Sequence, residues 1–140
     1  MPQGPLSMTF WESQTFGREE FVGVDLFVIM FAIDDITSYR AAIGPCYSTI
    51  LQHYPYSQIM LVGTKAELRD DKEHAQDLIT YKDGLDASRG IRAIHYQEVD
   101  TQSETQVEQL LQTAAQICCG AYPITLRNRQ AHKMQNCNIM

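Results

Sequence analysis

The chain has no apolar run approaching about 18 residues, the length that a membrane-crossing helix needs. Its start, Met1-Pro2-Gln3-Gly4-Pro5, lacks a basic region followed by an apolar one. Neither a spanning helix nor a secretory signal is expected, and synthesis in the cytosol is. Positive charge is scarce as well: 11 Lys and Arg stand against 17 Asp and Glu, for a formal charge of -6. The basic residues form no stripe, so the footprint of a phosphate-backbone binder is missing and no nucleic-acid partner is expected. Four cysteines, Cys46, Cys118, Cys119 and Cys137, show neither CxxC spacing nor the density of a secreted disulfide scaffold. Zinc is not expected on that ground. His53, His74, His95 and His132 are scattered, and no serine or cysteine nucleophile motif accompanies them, so a hydrolase triad is unsupported. No internal repeat is found.

What is present fits one globular α/β domain: 140 residues, 44% hydrophobic and 20% charged. Leu6 to Trp11 is a short strand candidate. Asp25 to Ala32 is apolar on both faces, as a buried parallel strand should be. Asp34-Asp35-Ile36-Thr37-Ser38 then reads as a turn with a helix N-cap, and a helix is expected from about Ser38 to Gln52. Gly44-Pro45 should kink or break it, because proline lacks the amide donor. Asp83 to Gly90 reads as a short helix closed by its glycine, and Ile94 to Val99 as an edge strand. Thr105 to Cys119 sets Val107, Leu110, Leu111, Ala114, Ala115 and Cys118 at helical spacing. Strands alternating with helices predict a mostly parallel sheet flanked by helices, in a domain spanning 1–120. From Gly120 onward the apolar periodicity stops, so 121–140 is expected to be a mobile tail.

The run Ile59-Met60-Leu61-Val62-Gly63-Thr64-Lys65-Ala66-Glu67-Leu68-Arg69-Asp70-Asp71 is an apolar strand that opens abruptly into a charged loop. Ligand-binding groups sit at such strand ends. It resembles the guanine-specificity loop of Ras-superfamily GTPases, Asn/Thr-Lys-x-Asp, and Leu68-Arg69-Asp70-Asp71-Lys72 is typical of the Rho branch. Three other stretches carry the same resemblance. Asp25 to Phe31 is similar to the strand after the second switch, Ser38-Tyr39 to the start of the following helix, and Ile79-Thr80-Tyr81 with Gly84-Leu85 to the Rho stretch Ile-Thr-Tyr-x-x-Gly-Leu.

The resemblance implies an incomplete small-GTPase, P-loop-NTPase-like domain, with GTP or GDP and magnesium as ligands and Rho-type effectors and regulators as partners. It implies guanine contacts from Thr64, Lys65 and Glu67. The loop after the last strand, Asp100-Thr101-Gln102, stands where the family has Ser-Ala-Lys/Leu and places Asp100 and Thr101 in the same pocket. Glu67 replaces the family's aspartate and adds a methylene, shifting the carboxylate by about one C–C bond length and weakening its bidentate fit to guanine.

Other family parts are missing. No G-x-x-x-x-G-K-S/T occurs, so nothing supplies the phosphate-cradling amides, the lysine and the magnesium hydroxyl. The first switch is absent. In the second, Trp11 is followed by Glu12-Ser13-Gln14-Thr15-Phe16, and Phe16 at the glutamine position cannot orient an attacking water, so no catalytic residue is assigned. Residues 1 to 10 are too few to supply the family's first strand, phosphate loop, helix and second strand. The Leu6 to Trp11 strand should therefore pair elsewhere or stay frayed. A shortened form of a complete GTPase is one explanation, and a nucleotide-free pseudo-GTPase that occupies Rho partners is another.

The chain ends Cys137-Asn138-Ile139-Met140, a C-a-a-X pattern whose methionine favours farnesyl. Prenylation at Cys137 and location at the cytoplasmic face of membranes, the plasma membrane foremost, are the expectations. Only a thin basic cluster, Arg127, Arg129, His132 and Lys133, precedes it, and one isoprenoid alone anchors marginally.

Overall fold

The computed structural model describes residues 7–10, 24–73, 75–120 and 136–139. Three parallel strands form its centre: β2 (Leu26–Ala32), β3 (Gln58–Thr64) and β4 (His95–Val99). The apolar runs of β2 and β3 have no polar face because alternate residues feed two cores. Phe27, Ile29, Phe31, Ile59 and Leu61 join Ile50, Ile79, Ile91 and Tyr96 on one side. Leu26, Met60 and Val62 join Leu110, Ala114 and Ile117 on the other. The register runs from Leu26↔Gln58 to Ala32↔Thr64, and Thr64 pairs in turn with Val99. All three strands thus end on one level, and the loops that follow them open side by side.

The helices start where a side chain can satisfy their first amides. Asp35 Oδ1 accepts from the amides of Thr37 (2.9 Å) and Ser38 (3.2 Å), so α1 (Ile36–Ala41) begins two residues earlier than expected. The expected break at Gly44-Pro45 is a single π-helical stretch, Ala42–Cys46, and α2 (Tyr47–His53) continues from it. Pro45 removes one intrahelical donor, and the wider turn absorbs the loss. The Thr80 hydroxyl accepts from the Asp83 amide at 3.0 Å, which starts α3 (Tyr81–Gly90) ahead of the expected Asp83. Gly90 is its last residue, yet the left-handed turn falls at Arg92, with φ 57°. Ser103 caps α4 (Glu104–Cys118) through the Gln106 amide.

The other edge of the sheet corrects one expectation. The strand order is β1-β5-β2-β3-β4, with β1 (Ser7–Phe10) parallel to β5 (Asn136–Ile139). β1 does pair elsewhere, with the end of the chain, and β5 meets β2 at Leu26↔Ile139. Residues 136–139 are therefore a strand and not part of a mobile tail. Apolar periodicity could not reveal this, because an open strand edge is recruited through backbone amides and carbonyls that every residue carries. Trp11, Gln14, Thr15 and Phe16 lie outside the described residues.

Candidate functional site

At the common end of the strands, the Thr64 hydroxyl donates to the Phe31 carbonyl (3.2 Å) and the Ile33 amide to the Thr64 carbonyl (3.2 Å). These bonds hold β2 and β3 together past their last rung. Lys65 then takes the left-handed conformation, φ 66° and ψ 35°, which costs a side-chain-bearing residue about 1 kcal/mol. The Leu68 amide closes on the Lys65 carbonyl at 3.0 Å to start the 3-10 turn Ala66–Asp70, and Glu67 is exposed on its first turn.

The Lys65 ammonium donates to Asp34 Oδ2 at 3.1 Å and so ties the β3 loop to the β2 loop. With side chains 50% and 34% exposed, this pair contributes less than about 1 kcal/mol. Of the two aspartates in the expected turn and cap, Asp35 is the cap and Asp34 takes the lysine.

After β4, Asp100 Oδ1 accepts from the Gln102 amide at 2.9 Å, while the Asp100 amide donates to Gln106 Oε1 at 2.8 Å. Its carboxylate thus shapes its own turn, and Thr101 is exposed beside it. Because Thr64 pairs with Val99, Lys65 and Asp100 each stand one residue past a shared rung. Thr64, Lys65, Glu67, Asp100 and Thr101 therefore collect at one end of the sheet. Cys137 does not join them: β5 lies level with the start of β2, a strand length of about 20 Å away.

Sequence reading missed the strongest polar contacts near this loop. Arg69 donates from Nε to Glu98 Oε1 and from Nη2 to Glu98 Oε2, both at 2.6 Å, and from Nη2 to the Ile79 carbonyl at 2.7 Å. The Tyr96 hydroxyl donates to Glu98 Oε2 at 2.6 Å. The Glu98 side chain is only 9% exposed. Its hydrogen bonds raise the Arg69 pKa above the ordinary guanidinium value, and burial, then the bond to Glu98, push the Tyr96 phenol well up. The available signal was the strand alternation Tyr96-Gln97-Glu98, which puts phenol and carboxylate on one face.

Lys65 and Glu67 offer an exposed cation and an exposed carboxylate just beyond the end of β3. The N-termini of α1, α3 and α4 are capped by their own side chains: Asp35 accepts from the amides of Thr37 and Ser38, Thr80 from that of Asp83 and Ser103 from that of Gln106. No group of three His, Cys, Asp or Glu among the described residues could hold a metal ion. Burial pushes the Cys46 thiol up to about 11, away from nucleophilic use. Cys118 is buried and disulfide-bonded, while Cys119 keeps a free thiol. Among the described residues no helix is long and apolar enough to cross a membrane.

A parallel sheet flanked by helices, with polar loops gathered beyond the carboxyl ends of its strands, defines an α/β domain of the type that carries ligand-binding groups at that end. The family model described as the Ras family matches residues 12–119, and the chain belongs to that family. It is 32% identical over 88 residues to the Rho-related protein racM of Dictyostelium discoideum, an alignment covering 61% of this chain and 47% of racM. It is 28% identical over 129 residues to the GTP-binding protein rho3 of Schizosaccharomyces pombe, covering 84% of this chain and 62% of rho3. The chain thus spans about half to three fifths of the length of these relatives, and both are of the Rho type.

Proposed function

We propose that this chain is a Rho-like small-GTPase signalling domain, a GTP/GDP-responsive switch for Rho-type effectors and regulators, impaired in nucleotide binding and hydrolysis in its present form. The observation that carries the reading is the loop Thr64 to Glu67, held beyond β3 beside the Asp100 loop in a Ras-family chain. Impairment is supported by the missing phosphate-loop motif. A second reading shares that support: a nucleotide-free pseudo-GTPase that occupies partners of complete Rho proteins, with the actin cytoskeleton as the system either form would influence.

Titrating the 140-residue chain with fluorescent GDP and magnesium separates the two readings. Weak but saturable binding is expected for the impaired switch, and none for the pseudo-GTPase; sub-micromolar affinity would overturn the impairment. Glu67→Asp, by shortening the carboxylate, is expected to raise affinity for GDP several-fold and leave ADP unchanged. An equal gain for both nucleotides would show that residue 67 does not read the base.

Membrane attachment is proposed through farnesylation of Cys137, with the cytoplasmic face of the plasma membrane as destination. Labelling with a farnesyl analogue under reducing conditions, where every thiol is free, is expected to be lost in Cys137→Ser. Label persisting in that variant would refute the site.

A further inference from the structure

We propose that Arg69 is the positioning residue of the base loop: its guanidinium, locked on Glu98 and on the Ile79 carbonyl, fixes where Lys65 and Glu67 stand. The inference rests on the guanine-recognition reading of that loop. The loop leaves the sheet at Lys65 and has two polar side-chain anchors, one at each end, with Leu68 packed against the core between them. The anchor at Lys65 is the exposed ion pair with Asp34, which water and salt screen. The anchor at Arg69 is a two-pronged pair with a carboxylate only 9% exposed. Such a fork restricts both position and orientation, which a point charge does not.

The anchor also has a rigid reference. Glu98 pairs in register with Gly63, the residue preceding Thr64, so the carboxylate that holds Arg69 belongs to the same rungs that launch the loop. Tyr96 aligns that carboxylate, and its ring is wedged between two glycines. A Cβ on Gly63 would come within 2.9 Å of the phenol oxygen, and one on Gly84 would overlap it. Glu67 lies two residues before Arg69 on one short 3-10 turn, so displacement of Arg69 is passed directly to the Glu67 carboxylate. Arg69 itself needs no contact with the base.

The test uses Arg69→Lys and Glu98→Gln in the 140-residue chain, with fluorescent GDP and ADP as probes and hydrogen exchange of the amides of 66–71 as a second readout. Each variant is expected to lower the GDP-to-ADP preference at least about fivefold, as loss of fixed geometry does at a hydrogen-bonded site. Exchange in 66–71 should rise about tenfold, with β3 and α4 unchanged. A purely structural role would not move the preference. If the unsubstituted chain prefers GDP and both variants keep that preference, the proposal falls while the guanine reading stands. If the unsubstituted chain binds neither nucleotide, or both alike, the guanine reading falls and the positioning role falls with it, whatever exchange in 66–71 shows of Arg69 as a structural anchor. Should Arg69→Lys fail to fold, Glu98→Gln decides by the same two readouts.

Discussion

Gly84→Ala is expected to destabilise the fold by about 3 kcal/mol, the upper end for inserting one methyl into a packed site. The new Cβ would overlap the Tyr96 phenol oxygen and its Cζ, and Tyr96 is only 5% exposed. The ring has little room to retreat. Phe31 stacks on it at 6.2 Å, Tyr81 lies at 5.3 Å, and the phenol oxygen already crowds Gly63. Either Tyr96 gives up its 2.6 Å bond to Glu98 or α3 lifts from the sheet, loosening the Tyr39 hydroxyl from the Asp83 carbonyl.

Urea denaturation measures the loss as a lowered midpoint with an unchanged slope. Gly44→Ala is the control, since nothing lies within 4 Å of a Cβ there, and it should change stability by less than about 1 kcal/mol. Tyr96→Leu should recover part of the Gly84→Ala loss, because two residues in contact do not act additively. Destabilisation by Gly84→Ala below about 0.5 kcal/mol would show that α3 slides freely and that the glycine is not required by contact.

These contacts explain why the sequence disclosed the fold more readily than the site. β3 was legible because both of its faces are buried, β2 because its run is apolar throughout although Met30 is half exposed, and α4 because one face is buried. Helix starts shifted by a few residues because a cap is chosen by which side chain reaches the amides, and Asp34 and Asp35 are equivalent until the backbone decides. The base loop was legible as a change of polarity at Thr64 and by its resemblance to the family. The partners of Arg69 were not, because they lie 10 and 29 residues away: Glu98 is brought near by the β3–β4 register, and Ile79 by its amide bond to the Ile33 carbonyl beyond β2. β5 was hidden for another reason: backbone pairing leaves no mark in side-chain pattern.

Phe31→Ala is expected to cost about 4 kcal/mol, against a total stability of about 5–15 kcal/mol for a domain of this kind. Phe31 is 2% exposed and is the point where the core meets the candidate site. Its ring packs edge-on against Tyr39 at 5.1 Å and stacks on Tyr96 at 6.2 Å, and its carbonyl accepts the Thr64 hydroxyl. Alanine keeps that carbonyl and so keeps the strand-end bond, but it leaves a cavity beside Tyr96. Phe31→Leu fills most of that volume and should cost about half as much. The two changes therefore separate volume from aromatic contact. A ratio near two between their losses, read from urea midpoints, indicates a cavity effect. A leucine variant as unstable as the alanine one would indicate that the stacked and edge-on ring contacts dominate, since those are lost equally in both. In either variant Tyr96 gains freedom to turn from Glu98, so the loop 66–71 should exchange faster even where the rest of the sheet stays closed.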